Sequence, residues 1–82
     1  MQIANDGITE LLDLKDWQGW PVAGGERWWG TKIFDEALRQ ERVAARVGAR
    51  AVWIVRDPAK ADLVRNYLEK EGRNVKVRVD AR

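Results

Sequence analysis

The chain has 82 residues, enough for one small domain with a single hydrophobic core. It contains neither cysteine nor histidine, which excludes disulfide bonds, thiolate sites, histidine acid–base catalysis and the usual zinc ligands, and so favours Mg²⁺ or Mn²⁺ for any metal chemistry. The 15 basic and 13 acidic side chains give a formal net charge of +2, which is compatible with a polyanionic partner, and no segment is apolar for long enough to span a membrane.

The amino-terminal residues predict a β-hairpin. Residues 2–5 have the character of a strand end, and Asp6-Gly7 is a strong turn sequence. Residues 9–15 then form the returning strand. Without further context, Asp6-Gly7 is also explained as a plain type I′ turn with no role in chemistry.

The returning strand carries a candidate metal site. Alternation along the strand puts Asp13 and Lys15 on one face. Two carboxylates, Asp13 and the nearby Asp6, together with the Lys15 ammonium, suit a divalent metal and a bound water. The structural alternative is a surface ion pair of little energetic value. Glu10 is predicted to face solvent, with the possibility of replacing Asp6 as a ligand if the hairpin register slips.

Residues 16–30 predict an irregular, glycine-rich loop that contains Trp17, Trp20, Trp28 and Trp29. The preferred interpretation is that these rings cover an incomplete core. The other is that they stack on unpaired bases, with Arg27 between them on the phosphates.

Two helices and two further strands are predicted after the loop. Thr31 is the expected N-cap of a helix over residues 32–47, and Gly48 ends it. The continuous apolar run 51–55 predicts a central strand covered on both faces. A second helix over residues 58–71 leads to a half-exposed strand at residues 75–79, parallel to the previous strand through a right-handed crossover.

The predicted fold class is therefore α/β, with a mixed central sheet and the element order β-β-α-β-α-β. Neither a repeat nor an internal linker divides the sequence, so one domain over residues 1–82 is expected.

The residues that carry a resemblance to a known family are Asp6-Gly7, Asp13-Leu14-Lys15, Leu38-Arg39-Gln40, Ala44-Ala45, Gly48 and Val52-Trp53-Ile54-Val55. With the order of elements, they resemble the carboxyl-terminal part of a PD-(D/E)XK restriction-endonuclease-fold domain. The similarity is closest to the toxin domains of bacterial polymorphic toxins of the contact-dependent inhibition, Rhs and type VI effector kinds. It spans nearly the whole chain but lacks the usual amino-terminal helix and first strand.

The resemblance implies a metal-dependent endonuclease that hydrolyses DNA or RNA phosphodiester bonds with Mg²⁺ or Mn²⁺. It implies that Asp6 and Asp13 are metal ligands and that Lys15 orients the attacking water. Gln40 would supply a supporting amide from the flanking helix, and Glu36, one turn earlier on the same face, competes for that place.

The resemblance also implies a biological setting. The chain would be the carboxyl-terminal part of a larger bacterial toxin, secreted or delivered into the cytoplasm of a target cell and neutralised by a cognate immunity protein. Lys32 and Arg39 are candidate phosphate contacts, although ordinary surface positions explain both.

Two further hypotheses remain. One is a non-catalytic α/β module that binds nucleic acid or protein through the tryptophan-rich loop and the basic last strand. The other is a fragment that forms a homo-oligomer through its exposed first strand.

Overall fold

The computed structural model describes residues 2–3, 7–17, 21 and 24–80, in which strands and helices alternate after an initial hairpin. The α/β class that the sequence predicts is confirmed. Among the residues that the structure describes, no helix combines the length and apolarity that crossing a membrane requires. The elements in chain order are β1 (Gln2–Ile3), β2 (Thr9–Lys15), α1 (Glu26–Arg46), β3 (Arg50–Val55), α2 (Pro58–Lys70) and β4 (Val75–Val79).

The strands form one sheet in the order β1-β2-β3-β4. β1 pairs antiparallel with β2, whereas β2, β3 and β4 are parallel neighbours. Lys15, Val55 and Val79 are in register at the last position of their strands. The predicted parallel pairing of the last two strands is confirmed, and the three parallel strands end together at one edge of the sheet.

Both helices pack on one face of the sheet. The hydrophobic core joins Trp29 and Ile33 of α1 and Leu68 of α2 to Trp53 and Val77 in the strands. Two right-handed crossovers that step in the same direction across a sheet place their helices on the same side. Residues at the alternate strand positions therefore lie on the opposite face, which we call the open face. Its members on β2, β3 and β4 include Glu10, Leu12, Leu14, Val52, Ile54, Lys76 and Arg78.

The first helix begins earlier than the sequence predicts. Thr31 is not its N-cap, because α1 starts at Glu26 and Gly25 precedes it. The reason is the burial of Trp29, which extends the apolar stripe of Ile33 and Ala37 by one more turn. Because of this tertiary packing, the end of the predicted tryptophan-rich loop is helical. The predicted end is confirmed, since Gly48 follows the helix with a φ of 66°.

The second helix has the start that the sequence predicts. Pro58 occupies its first turn, and the Asp57 side chain accepts hydrogen bonds from the backbone N–H groups of Ala59 at 2.9 Å and Lys60 at 3.4 Å. This N-cap satisfies donors that have no partner within the helix.

The prediction that Glu10 faces solvent is wrong. Glu10 is fully buried, and its carboxylate accepts hydrogen bonds from both terminal nitrogens of Arg78 on β4, one of them at 2.8 Å. The guanidinium of Arg50 lies 3.9 Å from the same carboxylate. Glu10 is buried because two cations compensate its charge, which a local alternation pattern does not reveal.

Candidate functional site

Lys15 brings together two carboxylates at the carboxyl edge of the parallel strands. Its Nζ lies 2.8 Å from Oδ2 of Asp13, two residues earlier on the same strand face. The same nitrogen donates a hydrogen bond to Oε1 of Glu36, on the helix that crosses above β2. Because both carboxylates bind one nitrogen, Asp13 and Glu36 lie within a few ångströms of each other.

Strand alternation and helix position together create this arrangement. Asp13 and Lys15 share a face because side chains two residues apart on a strand point the same way, as the sequence predicts. That face is the one covered by α1, in which Ile33 and Ala37 are buried. Glu36 lies on the margin of this buried stripe, so its carboxylate reaches the end of β2 while remaining partly accessible.

The burial of the three charges is uneven. The Lys15 side chain is only 10% exposed, whereas the side chains of Asp13 and Glu36 are 33% and 30% exposed. The cluster carries two negative charges and one positive charge, so it has a net charge of −1. Two partly accessible carboxylates beside a buried ammonium can accept a further cation or a polar ligand from solvent.

Two tryptophan rings pack beside the cluster. Lys15 Nζ lies 4.9 Å from the ring centroid of Trp53, the residue in register with Asp13. Trp17 packs edge-on against Trp53 with centroids 6.0 Å apart, and its carbonyl accepts a hydrogen bond from Lys60 Nζ at 2.7 Å. The Trp53 Nε1–H is buried and finds no acceptor within the described part of the chain.

The donor set fits a magnesium-type ion in part. Mg²⁺ in proteins is held by one or two carboxylates and keeps several waters, which matches Asp13 and Glu36. Over residues 2–3, 7–17, 21 and 24–80, no group of three or more acidic, histidine or cysteine side chains forms a ready metal site. Asp6, the other predicted ligand, lies outside the described residues.

The helix residue that reaches Lys15 is Glu36. Gln40, the predicted supporting amide, lies one turn further along α1 and is partly buried, and its side-chain amide makes no hydrogen bond with any described residue. Its role stays a prediction. Residues four apart lie on one face of a helix, so the sequence nominates both Glu36 and Gln40. The positive charge of Lys15 favours the negatively charged carboxylate of Glu36 over the neutral amide of Gln40.

The predicted phosphate contacts all lie on the exposed surface of α1. Arg27, Lys32 and Arg39 are exposed. Lys32 Nζ lies 5.0 Å from the ring centroid of Trp28, which is 57% exposed. Trp28 and Lys32 therefore present a flat ring and a cation together to solvent.

The four tryptophans of the predicted loop differ in their burial. Trp29 is fully buried in the core, Trp17 packs beside Trp53, and Trp28 is exposed. Trp20 lies outside the described residues. Core covering is thus confirmed for Trp29 and for Trp17, which packs against the core, whereas Trp28 presents its ring to solvent.

Comparison with protein-family models, curated proteins and solved structures found no match to this chain. The resemblance to restriction-endonuclease-fold toxins therefore rests on the residues of the sequence itself.

Proposed function

We propose that this chain is a metal-dependent nuclease that hydrolyses phosphodiester bonds in DNA or RNA. The observation that carries the proposal is the contact of Lys15 with both Asp13 and Glu36 at the carboxyl edge of three parallel strands. In open α/β sheets, the carboxyl ends of parallel strands are the usual place for ligands.

Asp13 and Glu36 would hold Mg²⁺ or Mn²⁺, and the resemblance adds Asp6. Bound there, the metal supplies an acidified water and neutralises charge on the phosphate oxygens. The contribution of the carboxylates is to offer hard oxygen ligands that remain partly open to solvent.

Lys15 would contact the scissile phosphate or orient the water that attacks it. A lysine ammonium has three N–H donors, and Asp13 and Glu36 engage two of them. The remaining donor has no acceptor among the described residues and could bind a phosphate oxygen. The Trp53 ring restricts where the ammonium can lie and excludes bulk water from one side of it, which strengthens its electrostatic effect.

The other predicted residues would assist substrate binding. Arg27, Lys32 and Arg39 are exposed cations on the helix that also carries Glu36, so they are suited to phosphates that flank the cleaved bond. Gln40 would support the carboxylates by hydrogen bonding once a substrate or metal is bound.

The biological setting follows from the resemblance alone. The chain would be the toxic end of a larger bacterial polypeptide that is secreted or delivered into the cytoplasm of a competing cell. Its producer would need an immunity protein, and an acidic inhibitor would associate rapidly with the basic residues of this domain.

Self-association through the first strand is tested by the mass measured in size-exclusion chromatography.

A non-catalytic nucleic-acid-binding module is the second candidate. It is favoured by Trp28 and Lys32, because an exposed ring beside a cation is a platform on which an unpaired base can stack. In this case, Asp13, Lys15 and Glu36 would form a structural ion-pair network. Binding would be sensitive to salt and independent of metal.

The test is cleavage of plasmid DNA and total RNA by the purified protein, in Mg²⁺ and in EDTA. Asp13→Asn and Lys15→Met remove one member of the cluster each. Asp16→Asn and Lys70→Met are matched controls, because both side chains are exposed and neither forms a hydrogen bond or ion pair with any described residue.

Cleavage that requires Mg²⁺, is lost in both cluster variants and persists in both controls supports the nuclease. Binding of nucleic acid by all five proteins in EDTA, with no cleavage under any condition, favours the binding module. Circular dichroism spectra of the variants separate loss of chemistry from loss of fold.

A further inference from the structure

A basic cleft lies at the end of the sheet opposite Lys15. It has a volume of about 320 Å³ and lies between the last turns of α2 and the beginning of β4. Arg50 is the first residue of β3, and Val75 is the first residue of β4, so the cleft is at the amino edge of the parallel strands. The charged and amide side chains in its lining are Arg50, Arg65, Glu69, Arg73, Asn74 and Lys76.

Three of the four cations in the lining are held in fixed positions. Arg50 lies 3.9 Å from the carboxylate of Glu10, Arg73 donates to Glu41 at 3.2 Å, and Arg65 donates to a backbone carbonyl of β4 at 3.0 Å. The ring of Phe34 lies 4.8 Å from the guanidinium carbon of Arg73. Anchored guanidinium groups lose little side-chain entropy when a ligand arrives, so the cleft is preorganised.

Unused donors remain in this lining. The Nε–H of Arg73 is buried and has no acceptor among the described residues. Lys76 is exposed and forms no ion pair with any described residue. An anionic oxygen in the cleft would give the exposed Lys76 ammonium a charge-assisted hydrogen bond.

The adjacent sheet edge is protected against the addition of a peptide strand. The N–H of Asp80 bonds the carbonyl of Val55 at 2.9 Å, so by alternation the backbone groups of Val77 point away from β3, toward the free edge. Arg65 occupies that edge by donating to the Val77 carbonyl at 3.0 Å, and its other terminal nitrogen bonds Asp62. An extended acidic peptide could not pair along β4 without displacing this side chain.

We propose that this cleft binds a phosphate group of a nucleic-acid strand. Four basic residues and one acidic residue, Glu69, line a volume at the small end of the range for ligand pockets, which suits one nucleotide unit rather than a peptide segment. The cleft thus provides a phosphate contact at the sheet edge remote from Asp13 and Lys15. It requires no catalysis, so it stands or falls separately from the nuclease proposal.

The experiment measures binding in EDTA, where metal-dependent cleavage cannot interfere. A labelled DNA duplex, a labelled single strand and a nucleoside monophosphate are titrated into the ¹⁵N-labelled protein while backbone amide resonances are followed. Fluorescence anisotropy gives dissociation constants for the labelled strands over a salt series. Lys76→Gln is compared with Lys70→Gln, which removes an equal charge from an exposed lysine that lines a different depression, on the side of α2 that carries Tyr67.

The expected result is that phosphate ligands shift amides between Arg73 and Val77. Lys76→Gln should weaken strand binding roughly threefold or more and lower the salt slope by about one unit, while Lys70→Gln leaves both unchanged. Strands that bind more tightly than the monophosphate identify a backbone phosphate as the ligand. Similar affinities identify a free nucleotide as the source of the same group.

Three results would overturn the proposal. One is an equal loss of strand affinity in the two lysine variants, because this would indicate diffuse electrostatic attraction rather than a defined binding site. Another is amide shifts confined to other parts of the chain. The third is capture of an acidic peptide at these amides when none of the phosphate ligands binds.

Discussion

The buried carboxylate of Glu10 and the partly exposed guanidinium of Arg78 form an ion pair that crosses the sheet from one outer parallel strand to the other. Glu10 is near the start of β2 and Arg78 is near the end of β4, with β3 between them. The register puts Val52 midway between the two residues on the open face, and Val52 is fully buried. The ion pair therefore lies on a face of the sheet that no described helix covers.

Loss of Arg78 should destabilise the fold more than loss of both partners. Arg78→Met removes the closer of the two described cations beside the fully buried Glu10 carboxylate, since Arg50 lies 3.9 Å away, and we expect a loss of about 3 kcal/mol in the free energy of unfolding. Adding Glu10→Gln removes the buried negative charge and should recover part of that loss. Urea denaturation of the two single variants and the double variant measures this coupling.

The control for this cycle is Lys76→Met, two residues earlier on the same face of β4 and exposed. It should change the free energy of unfolding by less than about 0.5 kcal/mol. Additive effects of Glu10→Gln and Arg78→Met would contradict the expected coupling.

Local patterns in the sequence predicted most elements of the fold. Asp57-Pro58 predicted the start of the second helix, Gly72 predicted its end, and the apolar run after Arg50 predicted the interior strand. Each of these signals depends only on residues that are close to it in the sequence. The start of α1 was missed because it depends on the burial of Trp29 against the core, which is a tertiary effect.

The candidate site was predictable in part, for the same reason. Alternation alone places Asp13 beside Lys15, and this pair was found. Glu36 is 21 residues from Lys15, so helix periodicity could nominate both it and Gln40 but could not decide between them. Glu10 and Arg78 are 68 residues apart, and no local pattern connects them.

Glu36 should be more important for activity than Gln40. If the proposed nuclease is correct, Glu36→Gln removes a carboxylate that contacts Lys15, and we expect cleavage to fall by a factor of about 100 or more. Gln40→Ala should reduce cleavage by less than about tenfold, because no described residue depends on its amide. Initial rates on the substrate found in the first assay measure both effects.

Asp35→Asn provides the matched control, since Asp35 is exposed and adjacent in sequence to Glu36. It should retain wild-type cleavage. A larger loss in Gln40→Ala than in Glu36→Gln would assign the supporting role to the amide instead.

Gly30 allows a close approach between the two helices that alanine should disrupt. A Cβ at this position would lie 3.0 Å from the Cε1, Cζ and Oη atoms of Tyr67, whose ring packs edge-on against Trp29. Alanine gains about 1 kcal/mol in helix propensity, but overpacking costs about 1–3 kcal/mol. We expect Gly30→Ala to lower the free energy of unfolding by up to about 2 kcal/mol.

The sign of this effect should reverse when the ring is removed. In a Tyr67→Ala background, Gly30→Ala meets no aromatic ring and should stabilise the protein by about 1 kcal/mol. Thermal denaturation of the four proteins in this cycle measures both values. Stabilisation by Gly30→Ala in the wild-type background would show that the ring moves aside at little cost.

The stability of the protein should decline in alkaline solution through Tyr67. Burial raises the pKa of its phenol above the ordinary value, and the negative charges of Glu71 and Asp35 raise it further. Below about pH 10 the phenol is neutral in both the folded and the unfolded chain, so its contribution to stability is fully present. Above about pH 10 the unfolded chain ionises first, so the free energy of unfolding falls until the pH passes the raised pKa of the folded state.

Absorbance of the phenolate measures this pKa directly, because Tyr67 is the single tyrosine of the chain. The native protein should titrate at a higher pH than the urea-unfolded protein. Glu71→Gln should bring the native midpoint partway down by removing a negative charge, whereas Asp62→Asn, whose carboxylate pairs with Arg65, should leave it unchanged. Equal midpoints in the native and unfolded proteins would show that the phenol is as well solvated in the fold as in water, and the alkaline loss of stability would then have to come from other groups.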